Sequence, residues 1–252
     1  PLQKRPNKGI LSSTRLIQMK KNTFILALHM LLAFTLFVSG AEKRKIILIA
    51  GNDSHGNGAH EFLAGCTLLK NKLEEAMPDK VEVILVKGGW PKNPNIFEGA
   101  AATIVYSDGL KRHPLNDHFK ELDKWTAKGM GLGMMHFACD VDPGEKGDYF
   151  KKWIGGHYET RFSTNPHWIC DAHLNKDHKI CSGCKGFKLK DEWYFNMRWS
   201  ETLEHTDILQ GIPDKEARSG KTSSPRGPMK HIVDAAGKKE TLLWCVERPD
   251  GG

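Results

Sequence analysis

The sequence predicts an α/β fold with a mostly parallel central sheet, and one segment near the start shows the pattern most clearly. The apolar run 46–50 is typical of a strand buried on both faces, and a glycine-rich loop follows it. From Ala59 onward, apolar residues recur at the spacing of a helix. The face that they form comprises Phe62, Cys66, Leu69 and Leu73. A strand, a glycine loop and a helix in this order build ligand sites at the carboxyl ends of parallel strands.

The next hundred residues repeat this alternation of strands and helices. We expect strands over residues 81–86, 101–106 and 130–137, and a helix over 115–127 that Gly129 ends. Strands that alternate with helices favour parallel pairing through right-handed crossovers. The second half is less regular. There we expect strand segments at 167–174, 187–199, 208–209 and 242–246, and a polar surface loop over 218–228.

The first 40 residues are predicted to lie outside the fold. Residues 19–40 read as a secretory signal peptide, because basic residues precede an apolar run and the small residues 39–41 follow it. The run is shorter than the roughly 20 residues of a spanning helix, and an uncleaved amphipathic anchor is the alternative. Residues 1–18 read as an upstream segment that is not part of the native protein. We therefore expect an exported protein, periplasmic or extracellular, with no membrane contact after cleavage.

This division changes the interpretation of the charge. The whole chain has a formal net charge of +7, but residues 1–40 hold six basic and no acidic residues. Residues 41–252 carry 31 Lys and Arg against 30 Asp and Glu, which is close to neutral. A nucleic-acid partner would require a basic patch on the folded domain, and none is evident. Residues 41–252 are expected to form one α/β domain, and its turn-like end at 247–252 suggests truncation at the C-terminus.

Six cysteines fall within this domain, and they leave several interpretations open. The pair Cys181 and Cys184 has the spacing of a zinc knuckle or a redox motif, but there is no second such pair. Incidental thiols or a local disulfide are the simpler interpretations for an exported domain. A zinc site would also need Cys170, His173 or His178.

Polar side chains follow the predicted strands and point to a site at one edge of the sheet. His55 and His60 follow the first strand, Trp90 the second, Asp108 and His113 the third, and His136 the fourth. His136 lies in the strand-to-helix turn where many α/β hydrolases hold their nucleophile. Because no Ser or Cys occupies that position, we predict that His136 acts as a base or a metal ligand.

A second group of candidates lies in the stretch Asp191 to Tyr194. A carboxylate such as Glu192 between large aromatic side chains loses water and is suited to act as a general acid, with Tyr194 beside it. The alternative is an aromatic core strand with acidic residues at its edge. The chain also holds seven tryptophans, and flat indole rings of this kind stack on the apolar faces of sugars.

Several ordered motifs together resemble the ThuA-like (trehalose utilisation) family. They span residues 45–252 and include IILIAGNDSHGNGAHE (46–61), GWPKNP (89–94), YSDG (106–109), HPLNDH (113–118), GLGMMHFA (131–138), WIGGHYET (153–160), NPHW (165–168), DEWYFNMR (191–198) and ERPDGG (247–252). The resemblance implies a flavodoxin-like three-layer α/β sandwich, related to class I glutamine amidotransferases, and a role in carbohydrate metabolism. The site residues that it implies are His55, His60, Asp108, His113, His136, Glu192 and Tyr194.

The sequence departs from this family at two places. Arg161 stands where related sequences often have histidine, which weakens any metal site that would rely on it. Family members also usually continue beyond ERPDGG into a strand rich in glycine and histidine.

Three functional hypotheses follow. The first is an exported enzyme that acts on a sugar or keto-sugar derivative. In it His136, Glu192 and Asp108 are catalytic, and His55, His60, Trp90, His113 and Tyr194 bind the substrate. A divalent metal such as Zn²⁺ is compatible with these side chains, although no spacing among them is diagnostic. The second is a carbohydrate-binding or accessory module without turnover. The third, the least favoured, is amidotransferase-type hydrolysis through Cys139. The oligomeric state is left open.

Overall fold

A computed structural model describes residues 42–219 and 229–252, and the predicted signal peptide lies outside these residues. Residues 44–154 contain seven main elements: β1 (Arg44–Ala50), α1 (Phe62–Ala76), β2 (Val81–Lys87), β3 (Ala100–Tyr106), α2 (Phe119–Thr126), β4 (Gly131–Met135) and α3 (Glu145–Ile154). Short 3-10 turns lie between them at Pro94–Phe97, Leu110–Arg112 and His136–Cys139.

The four strands form one sheet in the order β2-β1-β3-β4, and every pairing in it is parallel. The predicted α/β class and parallel sheet are therefore confirmed. β1 lies in the centre and is buried on both faces, as its unbroken apolar run predicted. Ile47 and Ile49 point to one layer, where they cluster with buried residues of α2 and α3. Leu48 and Ala50 point to the other, where they meet Phe62 and Cys66 of α1. The result is a three-layer sandwich.

The described residues after α3 form a less regular part that is built from short elements. They are β5 (Gly156–His157), β6 (His167–Asp171), β7 (His173–Leu174), β8 (Lys188–Glu192), β9 (Arg198–Trp199), β10 (Thr206–Gly211), α4 (Lys215–Arg218), α5 (Lys230–Asp234) and β11 (Glu240–Cys245). All pairings among these strands are antiparallel: β5 with β9, β6 with β8, and β10 with both β7 and β11. No helix within the described residues is both long enough and apolar enough to span a membrane.

Several predicted boundaries were wrong, and local contacts explain why. The fourth strand ends at Met135 rather than 137, because His136 has a φ of 56° and leaves the extended conformation. The helix predicted from 115 begins at Phe119, because the His113 ring accepts a hydrogen bond from the Leu115 amide and holds a turn there. The segment 167–174 divides into β6 and β7, which belong to different sheets.

The prediction of a polar surface loop from Arg218 was also wrong at its first residue. Arg218 ends α4 and is 2% exposed, and its guanidinium lies 2.8 Å from the Glu240 carboxylate. An ion pair across the fold therefore buries a residue whose charge alone suggested the surface. Residues 220–228 of the predicted loop lie outside the described residues. The helix α3 was not predicted, although Phe150, Trp153 and Ile154 form its buried face.

Candidate functional site

Loops that follow β1, β3 and β4 bring four of the predicted polar side chains together at the carboxyl edge of the sheet. His55 Nδ1 lies 3.6 Å from Asp108 Oδ1, and His60 Nδ1 lies 3.9 Å from the same oxygen. The ring centroids of His55 and His60 are 3.9 Å apart, and those of His60 and His136 are 4.9 Å apart. The parallel topology thus places these side chains in contact, as the sequence predicted.

Two of these histidines have unusual backbone conformations, which set the directions of their side chains. Both His60 and His136 adopt a positive φ, 54° and 56°, which is uncommon for a residue that carries a side chain. Gly109 lets the loop after β3 come close to the loop after β4, since a Cβ on Gly109 would lie 2.5 Å from the Phe137 carbonyl oxygen. The Leu110 amide can then donate to the Asp140 carbonyl at 2.9 Å. Strained conformations of this kind persist where the surrounding structure fixes them, and they cluster at functional sites.

The irregular part of the chain contributes Glu192, which completes the group. Glu192 ends β8, and its Oε2 lies 3.7 Å from His60 Nε2 and 3.6 Å from His136 Nε2. The Tyr194 hydroxyl donates to the same oxygen at 3.2 Å, and the Tyr194 ring packs edge-on against His136. Two parts of the chain that differ in architecture therefore meet at one carboxylate.

Two residues that the sequence analysis did not single out hold Glu192 in place. Asn165 donates from Nδ2 to Glu192 Oε1 at 2.9 Å, and its Oδ1 accepts a hydrogen bond from the buried Tyr158 hydroxyl at 2.8 Å. Because a carboxylate only accepts, this network fixes which end of the amide faces Glu192. Asn165 and Tyr158 both lie within quoted motifs, but nothing in their spacing indicated that they approach residue 192.

Burial sets the protonation of several groups in the site. Burial lowers the pKa of His136, the nearby Glu192 carboxylate partly offsets that effect, and His60 adds to it. Burial and the negative charge of Glu192 raise the pKa of Tyr194 far above its usual range, so the hydroxyl keeps its proton. Among the described residues, His60 Nδ1, His136 Nδ1 and Asp108 Oδ1 are buried and make no hydrogen bond. Buried polar atoms without partners are costly, which suggests that these atoms are arranged for a ligand.

Within residues 42–219 and 229–252, two groups of three side chains could hold a metal ion. One comprises His55, His60 and Asp108, and the other comprises His60, His136 and Glu192. His60 belongs to both, with Nδ1 facing the first group and Nε2 the second. Arg161, which replaces an expected histidine, belongs to neither group.

Two predicted substrate-binding residues lie apart from this cluster. His113 is 3% exposed, and both ring nitrogens are engaged: Nε2 donates to the Ala138 carbonyl, and Nδ1 accepts from the Leu115 amide. Burial lowers its pKa to about 4, so it is a neutral residue that ties two loops together. Trp90 stacks on His118, with centroids 4.4 Å apart, and packs against the core. The structure gives both residues a role in packing rather than in the site.

The cysteines also lie outside the site chemistry. All six are free thiols, so the structure contains no local disulfide between Cys181 and Cys184. Cys139 is buried, and both burial and Asp140 raise the pKa of its thiol well above the usual range. A thiol held in this way is a poor nucleophile, which argues against amidotransferase chemistry. Neither metal-capable group in the described part of the chain includes a cysteine.

Comparison with known proteins supports the fold. No protein-family model matches the chain, and no curated protein matches it. A solved structure from Bacteroides uniformis ATCC 8492, described as thua-like, matches with a TM-score of 0.52 and 14% sequence identity. The match covers 83% of this chain and 79% of that one. At this identity the likeness concerns architecture alone, and we conclude that the chain is similar in fold to a thua-like protein.

Proposed function

We propose that this protein is an exported ThuA-like enzyme of carbohydrate metabolism that acts on a sugar or keto-sugar derivative. The observation that carries the proposal is the meeting of His60, His136, Asp108 and Glu192 within 4 Å contacts, with three of their polar atoms buried and without a hydrogen bond. Imidazoles and carboxylates act on sugars in two ways, by direct proton transfer or by holding a cation that polarises a substrate oxygen.

The surroundings of the cluster suit a polyhydroxylated ligand. His55 is 42% exposed at the rim, where it can exchange its hydrogen bond with Ser54 for one with a substrate hydroxyl. Phe137 and Tyr194 supply aromatic surface beside the imidazoles. A keto group makes the adjacent C–H bonds more acidic, and the His136 imidazole, whose pKa is lowered, can accept such a proton when it binds no cation.

The proposal is tested with 3-keto-glycosides and the parent sugars as substrates, with products identified by mass spectrometry. We expect turnover by the native chain and a loss of at least about a hundredfold in kcat/KM for His136→Ala. His118→Ala, which alters a histidine outside the cluster, is the matched control and is expected to retain activity. Turnover that His136→Ala leaves unchanged would remove His136 from the mechanism.

A carbohydrate-binding module is the alternative function. It is favoured if calorimetry detects oligosaccharide binding, if no product forms, and if His55→Ala and Tyr194→Phe weaken that binding.

A further inference from the structure

Both metal-capable groups include the His60 imidazole, but they use different ring nitrogens. The partners of each group indicate which of the two is the metal site. An ion bound at His60 Nδ1 leaves the proton on Nε2, whereas an ion at Nε2 leaves it on Nδ1. Both groups have suitable dimensions. Donor atoms around a tetrahedral zinc ion lie about 3.4 Å apart. The separations between ring nitrogen and carboxylate oxygen are 3.6 and 3.7 Å in one group and 3.6 and 3.9 Å in the other, and all donor atoms of each group lie within 4.8 Å of one another. The choice therefore depends on the partners of each group.

The group around Glu192 has its carboxylate prepared for an ion. Asn165 donates to Oε1 at 2.9 Å, and Oε2 lies toward His60 Nε2 and His136 Nε2. The Tyr194 hydroxyl donates to Oε2 at 3.2 Å, and the second lone pair of this oxygen can still bind an ion. Both of these histidines have the positive φ described above, a conformation that clusters at functional sites. In the other group, His55 Nδ1 is already hydrogen-bonded to Ser54 Oγ at 2.7 Å, and that bond would have to break.

An ion at Nε2 of His60 would also allow a hydrogen bond between two buried atoms on the other side of the ring. His60 Nδ1 and Asp108 Oδ1 are both buried without a hydrogen bond, and they face each other at 3.9 Å. With a cation on Nε2, the Nδ1 proton points to Asp108 and a small approach forms a carboxylate–histidine–metal arrangement. Arg112 lies 3.7 Å from the other oxygen of Asp108 and supports its negative charge.

We propose that His60 Nε2, His136 Nε2 and Glu192 Oε2 bind one divalent transition-metal ion, Zn²⁺ or a similar ion, and that Asp108 and Asn165 are positioning residues in its outer shell. Two imidazoles and one carboxylate form a donor set suited to zinc, and three protein ligands leave a fourth position open for a substrate oxygen. The inference rests on the proposed function only in sharing its pocket, because the binding of the ion can be measured without a substrate.

The test begins with the full chain freed of metal by a chelator, titrated with Zn²⁺ in a calorimeter and with Co²⁺ in a spectrophotometer. We expect one ion per chain, a Co²⁺ spectrum typical of nitrogen and oxygen ligands, and a higher Tm when Zn²⁺ is bound. A strong sulfur-to-cobalt charge-transfer band would place the ion at the cysteines and overturn the proposal. No binding at all, or two ions per chain, would overturn it as well.

Variants then separate the two groups. Glu192→Gln and His136→Ala are expected to weaken binding by more than the roughly 10- to 100-fold that loss of an outer-shell partner costs, and Asn165→Leu by about that range. His55→Ala is the matched control, and we expect it to bind within a few-fold of the native chain. The opposite pattern, in which His55→Ala abolishes binding and Glu192→Gln does not, would assign the ion to the other group. Far-UV circular dichroism of the nearly isosteric Glu192→Gln variant checks that the fold is intact.

The outcome is separable from that of the proposed function. Stoichiometric binding with no turnover of sugar derivatives would support the metal site and contradict the enzyme. Turnover that persists in the presence of a chelator, together with no binding of metal, would support the enzyme and contradict the metal site.

Discussion

The two regions of the molecule, residues 44–154 and 156–245, are stabilised in different ways. In the first, four parallel strands pair over five to seven residues and are covered on both faces by apolar helix surfaces. In the second, three strands have only two residues, and polar side chains make many of the connections. Arg198 forms two hydrogen bonds to Glu159, and Asn196 donates to the Phe162 carbonyl. The candidate site lies where the two regions meet, and it takes side chains from both.

The largest expected effect tests whether buried charge pairing holds the irregular region. Arg218→Ala would leave Glu240 partly buried without its partner, and we expect a loss of about 3–5 kcal/mol in the free energy of unfolding. The matched control is Lys188→Ala, which breaks an exposed pair with Asp171 and should cost less than about 1 kcal/mol. Urea unfolding measures both variants. Equal losses in the two variants would show that the buried pair stabilises the fold no more than the exposed pair does.

The next effect tests the apolar core of the parallel region. Ile49 is fully buried in the central strand, and Ile49→Ala should cost about 3 kcal/mol because it leaves a cavity between the sheet and the helices. Ile169 in β6 is 64% exposed, and Ile169→Ala should change stability by less than about 0.5 kcal/mol. A large effect of the Ile169 substitution would mean that an apolar contact covers β6.

A smaller effect is expected at the joint between the loops of the site. Gly109→Ala places a methyl group against the Phe137 and Asp140 carbonyl oxygens and should cost about 1–3 kcal/mol. Gly56 lies in the first site loop with no atom near its missing Cβ, so Gly56→Ala is the control and should be nearly neutral. Thermal unfolding of both variants checks this difference, and equal Tm values would contradict it.

The smallest effect concerns pH. Burial lowers the pKa of His113 to about 4 in the folded chain, so below about pH 6.5 the unfolded chain binds a proton that the folded chain does not. Stability should therefore fall with acidification, by about 1 kcal/mol between pH 6 and pH 5 from this residue alone. His113→Asn should show a correspondingly flatter pH dependence of urea unfolding than the native chain. An unchanged slope would exclude His113 as a source.

The contrast between the regions also explains what could be predicted. Residues 46–50 are apolar throughout because both faces of the strand are covered, and that pattern alone located the sheet and the loop of His55 and His60. The approach of Glu192 to His60 and His136 was only a hypothesis, since it depends on contacts between residues far apart in sequence. Asn165 was missed because a half-buried amide between two side chains leaves no periodic signal. His113 was misplaced because a packed histidine and a ligand-binding one look alike in sequence.

The left-handed backbones of His60 and His136 have a consequence for evolution and engineering. Each left-handed conformation destabilises the fold by roughly 1–3 kcal/mol relative to a relaxed backbone, and we attribute its presence to the position that it gives the imidazole. Where the imidazole binds no ligand, asparagine adopts this region of φ and ψ at a lower cost in free energy than histidine does. A selection for thermostability without activity would therefore replace these two histidines early, and the residues that such a selection discards would map the site independently of any substrate.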